Sequence, residues 1–314
     1  MPSFTSSSEE RSTARGYWRP ICAALATLVL LLGAFEAATR VGFARISRIE
    51  SRTYREYRGA LGIRRSKSVL LLGNSLLLEG VDLDRLRALL QPEMTPTRFV
   101  VEQTDFADWY YGVRRLLAEG SRPDRIVLCL DTRQLISNTL RGDYSAYYLI
   151  QTADLVEAGR NSGYNLTQIS GLFFARYSLF YAGSGSFRNY VLNQVDRPYA
   201  DILRKINEGT LPPVTEADFL AKACAHLERL QSVCSRYGAR CDILLPPGFA
   251  PPGVQASAVR TRAVEAGKRT GTSVFVPVAL NAWGSEMFRD GYHLNPMGAR
   301  EFTDLVADSL RRRQ

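Results

Sequence analysis

Residues 69–75 read Val-Leu-Leu-Leu-Gly-Asn-Ser. Four large apolar residues in succession, without alternation, are typical of a strand that is covered on both faces of a sheet. The glycine and asparagine that follow indicate a sharp turn, which would present Ser75 at the carboxyl end of that strand. In open α/β sheets ligands bind at this edge, so Ser75 is a candidate nucleophile, although an ordinary polar loop gives the same pattern.

Short apolar runs and amphipathic helical patterns alternate from residue 68 to the end of the chain. The further runs expected to form buried strands are Phe99–Val101, Ile126–Leu130, Ile243–Leu245 and Val274–Val278. Helical patterns fill the intervals near Leu83–Leu90, Tyr110–Glu119, Glu216–Tyr237, Val254–Thr270 and Pro296–Arg313. This alternation predicts an α/β domain over residues 68–314, with a flavodoxin-like, doubly wound parallel sheet.

A helical, aromatic-rich insertion interrupts that alternation over residues 135–213. A connection of this length is usually a lid or a subdomain. It leaves the third strand at the edge where Ser75 emerges, so we expect it to form a wall of the substrate cleft. The candidate wall residues are Tyr147, Tyr148 and Tyr181. Alternatively, the aromatic residues pack a small core of the insertion itself or contact the N-terminal helix.

The N-terminal part of the chain divides into a polar tail and an apolar segment. Residues 1–16 are rich in Ser, Thr, Arg and Glu, which predicts a disordered tail. Residues 17–39 contain an uncharged apolar run from Ile21 to Phe35 and predict a transmembrane anchor. A cleaved signal peptide and a buried helix are the alternatives for a run this short.

Basic residues are concentrated in residues 40–67, a predicted juxtamembrane helix or linker with nine Arg and Lys against two Glu. Most of the net charge of +9 therefore comes from one segment. Arg45, Arg48, Arg52 and Arg55 fall at helical spacing and would form a basic stripe. The stripe either binds anionic lipid or acidic glycan or is an ordinary solvated helix face. Charge confined to one segment argues against a nucleic-acid-binding protein.

The five cysteines show no metal-binding spacing, so no metal site is expected. Cys22, in the apolar segment, and Cys129, in a predicted strand, are expected to be structural. Two of Cys224, Cys234 and Cys241 are close enough in sequence to form a disulfide in an oxidising compartment. The sequence does not select the pair.

A second candidate motif lies just before the last predicted helix, where residues 290–295 read Asp-Gly-Tyr-His-Leu-Asn. An aspartate three residues before a histidine can turn back and bind one ring nitrogen, which leaves the other nitrogen to accept a proton from a serine. Asp290 and His293 are therefore a candidate orienting acid and base. The alternative is a helix-entry turn capped by Asn295. His226, the other histidine, is expected to be a surface or boundary residue.

These two motifs, in this order, resemble the first and last blocks of the SGNH (GDSL-like) hydrolases. Gly73-Asn74-Ser75 is similar to the Gly-Asp-Ser or Gly-Asn-Ser that follows the first strand in that family. Residues 290–295, followed by Gly298 at the helix start, look like its last block. The resemblance covers roughly residues 69–310 and implies the SGNH hydrolase fold with an N-terminal transmembrane helix added.

By this resemblance, Ser75, His293 and Asp290 would form a catalytic triad and need no cofactor. In the family, a Gly after the second strand and an Asn after the third strand complete the oxyanion hole. The corresponding loops here, residues 103–107 and 130–134, contain neither residue. The oxyanion candidates are therefore the amide of Ser75 and a second donor from Thr104, Arg133 or Gln134. One such donor lowers the activation barrier by about 3 kcal/mol.

The resemblance implies a serine-dependent O-acyl esterase or O-acyltransferase that acts on a cell-envelope polysaccharide or a related acylated carbohydrate. Besides such an ester, the expected partners are membrane lipid, through the anchor and the arginine stripe, and a membrane protein that donates acyl groups. Membrane-anchored relatives favour a periplasmic or otherwise extracytoplasmic main domain on a single-pass anchor, whereas the count of flanking arginines favours a cytoplasmic one. A catalytically inactive glycan-binding or assembly protein and a lipid esterase are the alternative functions.

Overall fold

The computed structural model describes residues 10–46, 48–64, 67–184, 214–248 and 256–312. The chain divides into two compact units, Met1–Arg48 and Ile49–Gln314. The helices are α1 (Glu10–Ile46), α2 (Arg48–Leu61), α3 (Ser75–Gly80), α4 (Leu83–Leu90), α5 (Phe106–Ala118), α6 (Thr132–Leu135), α7 (Asp143–Tyr148), α8 (Leu155–Asn161), α9 (Leu166–Tyr177), α10 (Glu216–Arg236), α11 (Ala256–Thr270) and α12 (Pro296–Arg311). The strands are β1 (Ser68–Gly73), β2 (Thr95–Val100), β3 (Arg125–Cys129), β4 (Arg240–Leu244) and β5 (Ser273–Phe275).

The first unit contains the long helix α1. Its segment Trp18–Gly42 spans 25 residues and contains an 18-residue window with a mean hydropathy of 2.2, so it is long and apolar enough to cross a membrane; a signal sequence meets the same criteria. The prediction of a disordered tail is wrong for residues 10–16, which are helical. Once a helix has nucleated in an apolar span, each further residue adds a hydrogen bond at little cost, so α1 extends into the polar segment. Residues 1–9 lie outside the described residues.

The second unit is built on a sheet of five parallel strands in the order β2-β1-β3-β4-β5. This order is the flavodoxin-like one, and the prediction of an α/β fold with a doubly wound parallel sheet is confirmed. The chain order reverses between β1 and β3, which are paired from Val69 with Arg125 to Gly73 with Cys129. The carboxyl ends of these two strands therefore flank the crevice at the topological switch point.

Both faces of the sheet are covered, as an uninterrupted apolar strand requires. In β1, Leu70 and Leu72 belong to one buried cluster, together with residues of α2, α5, α10 and the insertion. Val69 and Leu71 belong to a second cluster, together with residues of α3, α4 and α12. The alternation follows from the two-residue period of a strand, whose successive side chains point to opposite faces.

Helix α2 is part of the folded unit, which begins at Ile49 and not at the predicted boundary, residue 68. Within the predicted juxtamembrane helix or linker, Arg48–Leu61 is helical, and this helix packs on the domain: Thr53 and Ala60 are buried, and Glu56 forms an ion pair of 2.9 Å with Arg98 of β2. An amphipathic helix gains stability by burying its apolar face, so a segment with this pattern packs against the nearest sheet.

Two members of the predicted arginine stripe bind protein groups. Arg52 donates to Glu102 at 2.8 Å, and Arg55 donates to Ser51 at 2.6 Å. The side chains of Arg45 and Arg48 lie outside the described residues. Lipid or glycan binding by the stripe stays a prediction, and Arg52 already has a carboxylate partner.

The described half of the insertion forms α7, α8 and α9, which pack on the face of the sheet that α5 covers. Arg114 of α5 pairs with Asp154 at 2.7 Å and with Glu157 of α8 at 3.2 Å. Leu149 lies so close to α5 that a Cβ at Gly112 would come within 3.1 Å of it. The second half of the insertion, residues 185–213, lies outside the described residues.

Candidate active site

Ser75 begins α3 directly after the turn that ends β1. A Cβ on Gly73 would lie 2.7 Å from the carbonyl oxygen of Cys129, so only glycine lets β1 and β3 approach this closely at their ends. The buried Asn74 caps α3: its Oδ1 accepts from the amide of Leu76 at 3.0 Å, and its Nδ2 donates to the carbonyl of Thr104 at 2.9 Å. Asn74 thereby fixes the turn that presents Ser75 at the carboxyl edge.

His293 lies on a tight loop that is closed at its base. An antiparallel bridge pairs Phe288 with Leu294, and the amide of Arg289 donates to the carbonyl of His293 at 2.8 Å. Inside the loop, Oδ1 of Asp290 accepts from the amides of Tyr292 at 3.0 Å and of His293 at 2.7 Å. An aspartate that accepts from the amides two and three residues on stabilises a turn, and this turn brings its carboxylate beside the imidazole.

Ser75, His293 and Asp290 form one hydrogen-bonded chain across the sheet edge. Nδ1 of His293 lies 2.8 Å from Oδ2 of Asp290, and Nε2 lies 3.0 Å from Oγ of Ser75. The structure therefore brings Ser75 into contact with His293 and Asp290, although Ser75 and His293 are 218 residues apart in the sequence. The distance to Ser75 is within the range for proton transfer from a nucleophile to a base, and the distance to Asp290 is that of a hydrogen bond that orients the imidazole.

The ionisation of Asp290 determines which ring nitrogen carries the proton. Partial burial acts to raise the pKa of Asp290, but hydrogen bonds from the amide and ring of His293 and from the amide of Tyr292 lower it well below its usual range. An ionised carboxylate can only accept, so Nδ1 of His293 donates to it and Nε2 is left to accept from Ser75. This is the tautomer that a base for serine requires.

Tyr292 is a site residue that the sequence analysis did not single out. Its hydroxyl donates to Oδ2 of Asp131 at 2.7 Å, while Oδ1 of Asp131 accepts from the amide of Gln134 at 2.8 Å and caps α6. Asp131 to Gln134 reads Asp-x-x-Gln, a capping-box pattern that could have been recognised in the sequence. The side-chain oxygen of Gln134 completes the box by accepting from the amide of Asp131 at 3.0 Å.

One of the predicted oxyanion groups is occupied by other bonds, which corrects that assignment. The hydroxyl of Thr104 is buried, donates to the carbonyl of Val101 and accepts from Nε1 of Trp109, so it stabilises its own loop. Gln134 uses Oε1 as the acceptor of its capping box, and its Nε2 donates to no residue that the structure describes. Arg133 is exposed and has no hydrogen bond or ion pair with any residue in the described ranges. Arg133 and Nε2 of Gln134 therefore remain side-chain candidates.

Backbone amides are the better oxyanion candidates. The amide of Ser75 is at the first position of α3 and has no intrahelical acceptor. On the other side of the turn, Gln103 has a φ of 59°, a left-handed conformation that normally favours glycine. The amides of Gln103 and Thr104 donate to no other residue within the described ranges. The loop thus has a backbone conformation that suits a glycine, although its sequence lacks one.

Two of the predicted wall residues, Tyr147 and Tyr148, lie beside the last turn of α5. Tyr148 is only 4% exposed and packs against Tyr144 and Tyr147, with ring centroids 5.1 and 4.9 Å apart. The carbonyl of Tyr147 accepts from Arg115 in the last turn of α5, which is about 14 Å along the helix from its N-terminus at the carboxyl edge. Tyr181 contacts Phe174 of α9 at 5.8 Å.

Tyr144 and Tyr148 are buried in the core of the domain, whereas Phe174, Tyr177 and Tyr181 are exposed. Tyr148 is therefore a core residue, and a cleft wall formed by the rest of the insertion stays a prediction. His226, expected to be a surface or boundary residue, is buried: its ring stacks on Phe106 at 4.2 Å and binds the carbonyl of Leu135 through Nδ1. Burial lowers the pKa of His226, which favours its neutral form.

Comparisons with known proteins identify weak structural likenesses. No protein-family model matches the chain, and no curated protein is significantly similar to it in sequence. The crystal structure of TesA is 14% identical, with a TM-score of 0.41 and coverage of 78% of this chain and 98% of that chain. The psychrotrophic esterase EstA from Pseudoalteromonas sp., in a form inhibited by monoethylphosphonate, is 11% identical, with a TM-score of 0.42 and coverage of 79% and 98%.

These likenesses are too weak to support a function. The sheet order, the turn after β1 and the loop before α12 are observed independently of them. Gly298 at the start of α12 belongs to the same motif as the loop of His293. Only glycine fits at this position, because a Cβ there would lie 2.5 Å from the carbonyl oxygen of Met287. In its sheet, its Gly-Asn-Ser turn and its Asp-Gly-Tyr-His loop, this chain is similar to the SGNH hydrolases.

Proposed function

We propose that this protein is a serine-dependent O-acyl esterase or O-acyltransferase that acts on an acylated carbohydrate of the cell envelope. The hydrogen-bonded chain from Ser75 through His293 to Asp290 carries the proposal. A serine on a turn at the switch point of a parallel sheet, with a free amide and an oriented imidazole, has the groups that acyl transfer requires. The carbohydrate substrate rests on the resemblance to membrane-anchored SGNH proteins.

In the first half-reaction, Oγ of Ser75 attacks the ester carbonyl carbon while its proton passes to Nε2 of His293. The negative charge that forms on the carbonyl oxygen is met by the amide of Ser75 and by the amides of the loop around Gln103. The tetrahedral intermediate then expels the alcohol, which takes the proton from Nε2. Asp290 stabilises the imidazolium throughout and stays ionised.

In the second half-reaction, an acceptor hydroxyl attacks the acyl-serine. His293 takes the proton of that hydroxyl and returns it to Oγ of Ser75 as the acyl group leaves. Water as the acceptor gives an esterase, and a sugar hydroxyl gives a transferase. The two activities use the same residues and differ only in the acceptor.

The side chains around His293 favour a polar substrate over a lipid. Arg289 is 59% exposed and pairs with Glu79 at 2.8 Å, and Arg133 of α6 is exposed. An acyl chain laid over such groups would desolvate charges without replacing their hydrogen bonds. A hydroxylated sugar can bind them directly.

An extracytoplasmic location is supported by a disulfide between Cys234 and Cys241, whose Cα atoms are 6.1 Å apart. Disulfides form and persist outside the reducing cytosol. With Trp18–Gly42 as the anchor, a reporter fused after Gln314 should then be active only in its extracytoplasmic form. Activity of a cytoplasmic reporter at this position would reverse the proposed topology.

Covalent labelling tests the proposed nucleophile. We expect a fluorophosphonate probe to label the wild type and Ser235→Ala, a control at an exposed serine of α10, but not Ser75→Ala. Hydrolysis of small acyl esters should disappear in Ser75→Ala and persist in Ser235→Ala. Ser75→Ala should melt within about 2 °C of the wild type, because truncation of a half-buried polar turn residue costs little stability. Equal labelling of the wild type and Ser75→Ala would contradict the proposal.

A further inference from the structure

A second concave site lies between α5 and α10, apart from the candidate triad. Its volume is about 490 Å³, which is within the range of small-molecule sites. Tyr110 and Arg114 line it from α5, Gln151 from the insertion, and Arg229 and Arg236 from α10. We call it the α5/α10 cleft. Neither the triad nor Tyr292 lines it.

The cleft contains two guanidinium groups without an ion-pair partner in the described parts of the chain, and the carboxylate of the exposed Glu228 also lines it. Arg114 is neutralised by Asp154 and Glu157, at 2.7 and 3.2 Å. Arg229 and Arg236, by contrast, form no ion pair with a carboxylate within the described parts of the chain. They are seven residues apart on α10, so both point to the same side of the helix.

Aromatic packing holds one of these charges in position. The guanidinium of Arg229 lies 4.3 Å from the ring centroid of Tyr110, and its side chain is half-buried. A guanidinium stacked on a ring loses part of its freedom before any ligand arrives, while its edge N–H groups stay directed outward. Such a group can bind a planar carboxylate through two parallel hydrogen bonds at a reduced entropic cost.

We propose that the α5/α10 cleft binds a carboxylate-bearing sugar unit of an acidic polysaccharide. The two unpaired guanidinium groups would bind the carboxylate. Ser232 and the side-chain oxygen of Gln151 offer hydrogen-bonding groups for hydroxyls. An acyl chain would leave both charges desolvated and unpaired, which is unfavourable. The proposal rests on the proposed function and extends it: the substrate is an acidic glycan, and the cleft binds this glycan at a site apart from Ser75.

Binding is measured on the full-length protein in detergent by isothermal titration, with trigalacturonate as the acidic probe and maltotriose as its neutral counterpart. We expect binding of trigalacturonate alone. Arg236→Glu, at an exposed position, and Arg229→Gln should each raise the Kd by about tenfold or more. Arg160→Gln changes the charge at an exposed position of α8 outside the cleft and should leave the Kd unchanged.

Ser75→Ala should bind trigalacturonate like the wild type, so the cleft can be supported even if the catalytic proposal fails. Equal affinity for maltotriose, or a Kd that Arg236→Glu leaves unchanged, would overturn the proposal. It would also be overturned if inorganic phosphate competes at the same concentration as the sugar, or if phosphatidylglycerol vesicles bind in an Arg236-dependent manner and trigalacturonate does not. These last outcomes would identify a general anion site and a lipid site, respectively.

Discussion

The hydroxyl of Tyr292 donates a 2.7 Å hydrogen bond to Oδ2 of Asp131 and so joins the loop of His293 to the end of β3. Ser75 follows β1, which pairs directly with β3. Two paired strands and one tyrosine hydrogen bond therefore connect the loop that carries the base with the turn that carries the nucleophile. This connection lies outside the triad and links the loop of His293 to the strand beside Ser75.

Removing this hydroxyl should affect turnover more than stability. We expect Tyr292→Phe to lower kcat by about tenfold, because small displacements of a base cost large factors in rate, while KM and Tm change little. Tyr54→Phe, at an exposed tyrosine of α2, is the matched control and should behave like the wild type. Ester hydrolysis kinetics and thermal melting measure both variants. A lower Tm with unchanged kcat would mean that the bond is only structural.

Asp290→Asn should preserve the loop and remove the charge that stabilises the imidazolium. An asparagine can still accept from the amides of Tyr292 and His293 but cannot hold Nδ1 protonated in the same way. We expect kcat to fall by about 10³ to 10⁴-fold, as orienting carboxylates of such triads typically show. Single-turnover acylation with a chromogenic ester measures the step. A loss of less than tenfold would remove Asp290 from the proposed mechanism.

The same carboxylate gives stability a defined pH dependence. The pKa of Asp290 is lower in the folded protein than in the unfolded chain, since His293 and two amides stabilise the charged form, although burial opposes them. Its stabilising contribution is therefore fully present above the unfolded-state pKa of about 4 and is lost as the pH falls through the folded-state pKa. The Tm difference between wild type and Asp290→Asn should shrink below about pH 4. A difference that grows in acid would contradict this assignment.

Arg52 should support catalysis through the loop after β2. Its ion pair with Glu102, at 2.8 Å, holds the loop whose amides at Gln103 and Thr104 are proposed oxyanion donors. We expect Arg52→Gln to reduce kcat by about tenfold with little change in KM, because the loss concerns charge that develops only in the transition state. Arg55→Gln, three residues away on the same helix, is the control. An equal fall in kcat in Arg52→Gln and Arg55→Gln would mean that the loss of positive charge on α2, and not the ion pair with Glu102, causes the effect.

Reduction of the Cys234–Cys241 disulfide should lower the Tm. The bond closes a short loop between α10 and β4, with a sequence separation of 7, and a loop of this size corresponds to about 2 kcal/mol in the chain-entropy description. For a domain of this size that is a shift of about 5 °C. Melting with and without reductant measures it, with the double variant Cys234→Ala/Cys241→Ala as control. A reductant effect that persists in the double variant would have another origin.

Tyr148→Ala should behave as a core truncation and not as a change in the substrate cleft. Loss of a large buried ring costs about 3 kcal/mol, so the Tm should fall by about 10 °C, and turnover of a glycan ester and of a minimal ester should fall equally. Tyr181→Ala, at a partly exposed ring, should cost much less. A selective loss of glycan-ester turnover in Tyr148→Ala would restore the predicted cleft wall.

Local patterns in the sequence predicted the elements and the three central site residues. The apolar runs located all five strands, and Leu83–Leu90 was predicted with the bounds that α4 has. Ser75, Asp290 and His293 could be identified because each lies within a short motif, and a turn motif specifies its geometry through neighbouring residues alone. Asp131 to Gln134 carried a comparable signal, and recognition of that capping box would have located the start of α6.

Only the tertiary structure determined which distant surfaces meet. Tyr148 was predicted to line the cleft and lies in the core, because nothing in the spacing of Tyr147 and Tyr148 specifies whether the chain after β3 turns over the sheet edge or down along α5. Likewise, the choice of Cys241 as the partner of Cys234 and the packing of α2 against β2 depend on the path of the backbone. Hydrophobic burial is non-directional, so a sequence specifies which side chains are apolar, whereas the partner that each one packs against depends on how the whole chain folds.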